Sequence, residues 1–520
     1  MKRILLTMRG HYLGVIMGLF LVLSCQPGQK GRLVDASRVS TAVGHISGRT
    51  TDDRVVKIFM GIPFAAPPLG ELRWKAPQPM DAWEGVRACV NPPASAMQAK
   101  PIPFFCWSKE FLIPDEPIDE DCLYLNVWTT ARTDQDKLPV IVWIHGGGFS
   151  GGSGTVPLYD GEAMARKGVV FVTINYRLGI LGFLAHPDLS AESSNQVSGN
   201  YGILDQIAAL KWVQENIAAF GGDPSCVTIA GQSAGSFSVN MLVASPMSKG
   251  LFARAIAQSG GMFNRNLSRG LALQDAEKAG KQLTDRLGVS IADLRNLPAD
   301  SLMRLPGRYT NITVDNVVIP DIRETFANRK QNDVPLISGW NADDGVSFAP
   351  PASKEEYIAG IKRQYRQQAE KFFRAFPAIT DEEAYRSQRL ISSLSFGWNN
   401  YTWAKLQTQT GSGKAYLYYF TYVPPGEPDY GAFHSAEFGY ALHTLKKWDR
   451  PFTETDYQLE DRMSSYWVNF AKNGDPNGEG LPLWQAFDND NPKLIELGEE
   501  IKAYPVPFLQ QLHFLDQINE

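Results

Sequence analysis

The stretch that decides the fold runs from Phe220-Gly221-Gly222-Asp223-Pro224 through the apolar segment Val227 to Ala230 into Gly231-Gln232-Ser233-Ala234-Gly235, then on through Ser236 to Ala244. Val227 to Ala230 has the composition of a short buried strand, and Ser236 to Ala244 that of a helix. A serine on the tight turn between such a strand and such a helix has its hydroxyl lifted above the sheet, free to attack a substrate. The flanking Gly231 and Gly235 have a steric reason, because side chains there would collide with the neighbouring strand and helix. Ser233 is therefore the candidate nucleophile. The five-residue pattern taken alone also describes a glycine-rich turn with a capping serine, so the rest of the chain must agree with it.

Outward from that turn, Pro139 to Ile144, Val169 to Tyr176, Val334 to Gly339 and Tyr416 to Val423 are short runs rich in β-branched or aromatic residues and bounded by turn formers. Between them, Ile207, Leu210, Val213 and Ile217 recur at helical spacing. Strands alternating with helices predict an α/β fold with a large, mostly parallel central sheet covered by helices on both faces. The body contains no internal repeat, low-complexity block or long charge run to mark a linker, so residues 39–520 read as a single domain.

With 44% hydrophobic and 20% charged residues the chain has the composition of a globular protein, and a net charge of -5 gives no basic footprint for nucleic acid. The first 25 residues differ. Lys2, Arg3 and Arg9 precede an apolar run from Tyr12 to Leu23 that is too short to span a bilayer and reads as an export signal. Val22-Leu23-Ser24-Cys25 resembles the bacterial lipobox, which implies acylation at Cys25 and a periplasmic or outer-membrane lipoprotein, with simple cleavage as the alternative. Residues 26–38 would then be a polar tether. Export permits disulfides. A bridge from Cys106 to Cys122 would close a short loop and add about 3 kcal/mol on the chain-entropy model. Cys89 competes for Cys122, and Cys226 reads as a free thiol.

The run from Phe220 to Gly235 resembles the serine signature of type-B carboxylesterases and cholinesterases, members of the α/β-hydrolase fold. The resemblance extends through Gly61-Ile62-Pro63-Phe64-Ala65, Glu120-Asp121-Cys122-Leu123-Tyr124-Leu125-Asn126-Val127-Trp128, Asn175-Tyr176-Arg177, Gly199-Asn200-Tyr201-Gly202 and Gly474-Asp475-Pro476-Asn477. It implies a serine carboxylic ester hydrolase working through an acyl-enzyme. His145-Gly146-Gly147-Gly148-Phe149 follows the predicted strand ending at Ile144, and its glycines let backbone donors approach a substrate. By resemblance the oxyanion donors are Gly147, Gly148 and Ala234.

Seven histidines allow the general base to be sought by elimination. His11 belongs to the export signal. Chain order in this fold runs serine, acid, histidine, which leaves His434, His443 and His513. His434 lies on a loop beyond a strand end, in Gly431-Ala432-Phe433-His434-Ser435-Ala436-Glu437, and matches the family's histidine motif, Glu437 included. His443 reads as part of the following helix and His513 as part of a terminal segment, while His145 reads as a wall residue and His45 and His186 as structural. The acid is sought in Trp340-Asn341-Ala342-Asp343-Asp344-Gly345, where the resemblance points to Asp344 and leaves Asp343 as competitor. The family usually has the longer Glu at that position. Ser259 matches a serine near the triad that would bond the histidine or Glu437, and a turn serine is the equal alternative. Arg73 and Glu120 resemble a structural ion pair.

Gln232 stands where many relatives carry glutamate, which weakens the case for a cationic substrate. Trp107, Phe149 and Phe348 are aromatic candidates for the wall of the site. No metal-ligand spacing appears, and the reaction calls for no cofactor. The expected partner is a small-molecule or glycan-linked ester, with the membrane reached only through Cys25. Two further readings remain: a lipase on membrane or emulsified lipid, and a non-catalytic adhesion or binding member of the same fold.

Overall fold

In the computed structural model, residues 31–264, 270–307, 309–345 and 352–519 are described. Eleven of their strands form one sheet: β1 (Arg49–Thr50), β2 (Lys57–Pro63), β3 (Tyr124–Thr129), β4 (Leu138–Ile144), β5 (Val170–Ile174), β6 (Gly222–Gln232), β7 (Arg254–Gln258), β8 (Leu336–Asn341), β9 (Ala415–Phe420), β10 (Lys493–Leu497) and β11 (Ile501–Pro505). Their spatial order is β11-β10-β9-β8-β7-β6-β4-β5-β3-β2-β1. The stretch from β10 across to β5 is parallel, and the two outer ends are antiparallel.

Side chains of a strand alternate between faces, so a sheet buried on both sides needs apolar residues at every position. In β4, Val140, Val142 and Ile144 enter one core, and Ile141 and Trp143 enter the other. Helices α1 (Tyr201–Asn216), α2 (Ala234–Ala244) and α3 (Asp381–Thr410) supply Ile207, Val239 and Trp398 to the first core. Helix α4 (Glu454–Asn473) covers the second with Met463, Trp467 and Phe470. The parallel order with helices on both faces is the α/β-hydrolase architecture expected from the sequence.

Two expectations need correction. Residues 32–38, read as tether, are part of the folded body: Val34 and Ala36 are buried, and Val34 N–H donates to the Arg132 carbonyl at 2.9 Å. Cys122 bridges neither Cys106 nor Cys89. Its thiol is free and fully buried, with Cys89 in the same core, whereas Cys106 belongs to the core on the opposite face of the sheet. Burial pushes the Cys89 thiol up to about 11 and holds the Cys122 thiol well above its ordinary value, so both stay protonated. Cys226 is also a free thiol, as read. Cys25 and the export signal lie outside the described residues, and among the described residues no helix is long and apolar enough to cross a membrane.

Candidate active site

Ser233 stands between β6 and α2 with φ 55° and ψ -123°, a conformation that side-chain-bearing residues rarely adopt. The strain is held from outside. Ser233 N–H donates to the Gln258 carbonyl at 2.9 Å, and its own carbonyl accepts from Phe237 N–H at 2.9 Å. The two glycines are needed at contact distance: a Cβ on Gly235 would fall 2.0 Å from the Ile144 carbonyl oxygen, and one on Gly231 would fall 2.6 Å from the Gly235 backbone.

The glycine loop after β4 lies against this turn. A Cβ on Gly146 would fall 2.9 Å from the Gln232 carbonyl oxygen and 3.2 Å from Ser233 Cβ, so a side chain there would press the loop away from the serine turn. Gly147 has φ 104°, the left-handed side of backbone space. The loop is anchored beyond its tip by Gln98, whose amide accepts from Gly152 N–H at 2.8 Å and donates to the Gly152 carbonyl at 2.9 Å. Ala234, the third expected donor, is the first residue of α2.

The loop after β9 carries His434 and the loop after β8 carries the two aspartates. These loops are pinned to one another, Asp343 N–H donating to the Ala432 carbonyl at 3.0 Å and Ala432 N–H to Asp343 Oδ2 at 3.0 Å. His434 Nδ1 is 2.7 Å from Asp344 Oδ1, and Asp344 Oδ2 accepts from Asn341 N–H at 2.9 Å. Asp344 is fully buried. Asp343 is occupied elsewhere, pairing with Arg389 of α3. Of the two candidate acids, then, Asp344 is the one that meets the imidazole. On its other side the ring's Nε2 is 3.2 Å from Gln232 Nε2, one residue from Ser233.

Glu437 is close behind, though its bonds go to amides: Oε2 accepts from Asn341 Nδ2 at 2.6 Å and Oε1 from Gln258 Nε2 at 3.1 Å. Burial first, and the Asp344 charge second, push its carboxyl up to about 7. Ser259 makes neither expected bond. Its buried Oγ has no protein partner, and its backbone, at φ 54°, donates to the Gly339 carbonyl at 2.9 Å.

The other described histidines lie outside this constellation. His145 stacks on Tyr176 at 4.3 Å, bonds the Gly146 carbonyl through Nδ1 at 2.8 Å, and is held neutral by burial, its imidazole falling to about 4. His186 accepts from Asp188 N–H at the start of a short helix, and His443 sits beside Ser464 at 3.2 Å. His45 contacts Ser40 at 3.1 Å, and His513 is exposed. Arg73 donates to Glu120 at 2.8 Å and to the carbonyls of Arg295 and Leu297, a structural pair as read. Arg177 of the Asn-Tyr-Arg motif forms a second buried pair, bidentate on Asp205 at 2.8 and 2.7 Å.

Among the aromatic candidates, Trp107 meets His434 edge-on at 6.5 Å, while Phe149 packs on Phe183 in the core and Phe348 lies outside the described residues. Phe396 of α3, 4.7 Å from the imidazole, went unread because nothing local distinguishes it from any other apolar residue on a long helix. Gln98, Asn341 and Gln258 went unread for the same reason: a buried amide has no motif.

Residues 35–514 match the model of the carboxylesterase family. The fumonisin B1 esterase of Sphingopyxis macrogoltabida is 38% identical over 483 residues, covering 86% of this chain and 84% of that protein. Liver carboxylesterase 1F of Rattus norvegicus is 33% identical, covering 91% of this chain and 93% of that protein. A solved PNB esterase superposes with a TM-score of 0.79 at 30% identity over 92% of this chain and 99% of its own. The chain belongs to the carboxylesterase family and is a carboxylic ester hydrolase.

Proposed function

We propose that the hydrolysis proceeds through an acyl-enzyme on Ser233, with His434 as general base and acid and Asp344 as the carboxylate that orients it. The 2.7 Å contact between His434 Nδ1 and Asp344 Oδ1 carries this reading, because it fixes the proton on Nδ1 and leaves the Nε2 lone pair to take a proton from a nucleophile. The Ser233 hydroxyl gives its proton to Nε2 as Oγ attacks the ester carbonyl. The tetrahedral oxyanion is received by the N–H groups of Gly147, Gly148 and Ala234, each worth about 3 kcal/mol in such sites. Collapse expels the alcohol, which takes the proton from His434, and water activated by the same imidazole then releases the acid.

The substrate reading is a neutral small-molecule or glycan-linked ester: one relative is named as an esterase of fumonisin B1, others as carboxylesterases, and Gln232 brings no charge beside the serine. A lipase reading is favoured by one feature: Ile102, Phe104 and Phe105 are exposed beside Trp107, with Phe104 on its ring at 4.9 Å. Export and lipid attachment at Cys25 rest on the basic-apolar-lipobox pattern alone, and the non-catalytic reading loses its ground with the family assignment. A panel of soluble p-nitrophenyl esters and emulsified triglyceride, assayed with wild type and Ser233→Ala, tests all of this. Loss of every turnover in the mutant is expected; retained turnover overturns the mechanism, and preference for the emulsion replaces esterase with lipase.

A further inference from the structure

The residue before the nucleophile touches the histidine rather than the core. Gln232 is 2% exposed, and its Nε2 lies 3.2 Å from His434 Nε2. An ionised carboxylate accepts only, so Asp344 at Nδ1 requires Nδ1 to carry hydrogen. In the neutral ring Nε2 is then an acceptor, and an amide NH2 facing it is a matched donor. Once the ring takes the nucleophile's proton, Nε2–H and the NH2 oppose one another as two donors. A half-turn of the amide about its last bond replaces NH2 with Oε1 and restores a matched pair.

We propose that Gln232 is a positioning residue that follows the protonation of His434, donating to the neutral imidazole and accepting from the imidazolium. The inference rests on His434 being the general base. Only a primary amide has both groups on one carbon; the glutamate common in relatives can only accept and favours the charged ring throughout. Gln232 therefore offers the ring a matched partner both before and after it takes the nucleophile's proton. Among the described residues, the variants share the same titratable and aromatic neighbours of the ring: Asp344 at Nδ1, Glu437 bonded to Asn341 beside it, the Asp343–Arg389 pair on the acid loop, and the uncharged rings of Trp107 and Phe396. Differences among variants at 232 thus report on this contact.

The test is the pH dependence of kcat/KM for a neutral p-nitrophenyl ester, from about pH 5 to about pH 9, in wild type, Gln232→Glu, Gln232→Met and His434→Ala. Gln232→Glu is expected to move the acid limb upward by about one unit, as a carboxylate beside an imidazole does. Gln232→Met, of similar length, removes the donor to the neutral ring and the acceptor for the charged one together, so its acid limb is expected to stay within a few tenths of a unit of wild type while its maximal kcat falls, with KM little changed. Gln232→Leu serves as a second apolar side chain if Met packs poorly. An apolar variant whose acid limb rises shows an amide that only donates, one whose acid limb falls shows an amide that only accepts, and one that overlays wild type with kcat unchanged shows an amide that does neither; each overturns the proposal. Retained turnover in His434→Ala overturns the base assignment instead, so the two failures are distinguishable.

Discussion

Asp343 and Asp344 are chemically identical and adjacent, and only three-dimensional partners separate them. Asp344 meets His434, while Asp343 is held by Arg389 and Ala432. Asp344→Asn should lower kcat by about four orders of magnitude, because the amide favours the wrong imidazole tautomer. Asp343→Asn should leave kcat within about tenfold and instead cost about 1–3 kcal/mol of stability, since it strips the charge from a half-buried pair that ties two loops. Steady-state kinetics and denaturant unfolding of the two variants check this. Glu437 gives a pH signature. Its folded carboxyl is raised from 4.5 to about 7, so between those values the folded state holds a proton that the unfolded chain has lost, and this group's stabilisation declines as pH rises through that window. Glu460, also raised to about 7, acts in the same direction, and His145, lowered to about 4, acts oppositely below its ordinary value. The Tm of Glu437→Gln minus that of wild type should therefore climb across the window, even though the new NH2 opposes the donor of Gln258 or Asn341 and lowers Tm overall. Ser233 and His434 were legible because each sits in a motif with chain order. Ser259 was half-legible: a turn serine was one of its two readings, and neither foresaw the positive φ or the hydroxyl without a protein partner.

The strand–turn–helix element is where sequence and structure agree most closely, and the agreement has a steric origin. Gly235 lies so close to the Ile144 carbonyl that no other residue fits. Gly235→Ala is expected to cost about 3 kcal/mol or more through overpacking against backbone, measured as a fall in the denaturant midpoint, with activity lost in parallel. Five of the parallel strands, β4, β5, β6, β8 and β9, were readable from their uninterrupted apolar runs with only their ends shifted, β6 starting at Gly222 rather than Val227, whereas β7 and β10 went unread. The error at residues 32–38 came from composition: polar residues there conceal two small anchors, Val34 and Ala36, which bury little area but fix the segment to the body through backbone bonds.

Over the whole molecule, the sheet explains why export chemistry misled the cysteine reading. Cys106 and Cys122 are close in sequence yet lie in cores on opposite faces, and no local pattern reports a crossing from one face to the other. A reductant able to cut a Cys122 bridge should leave Tm unchanged, where a real bridge would contribute about 2–4 kcal/mol. The same sheet gathers four distant stretches at the carboxyl ends of β4, β6, β8 and β9, and the account stands or falls on their acting as one site. The most direct test is intact-mass and peptide mapping of the enzyme quenched in acid during turnover of p-nitrophenyl acetate. An acetyl group on the peptide bearing Ser233, absent in Ser233→Ala and formed far more slowly in His434→Gln, is the predicted result. Turnover with no acyl group at Ser233, or an acyl group on another residue, would contradict it.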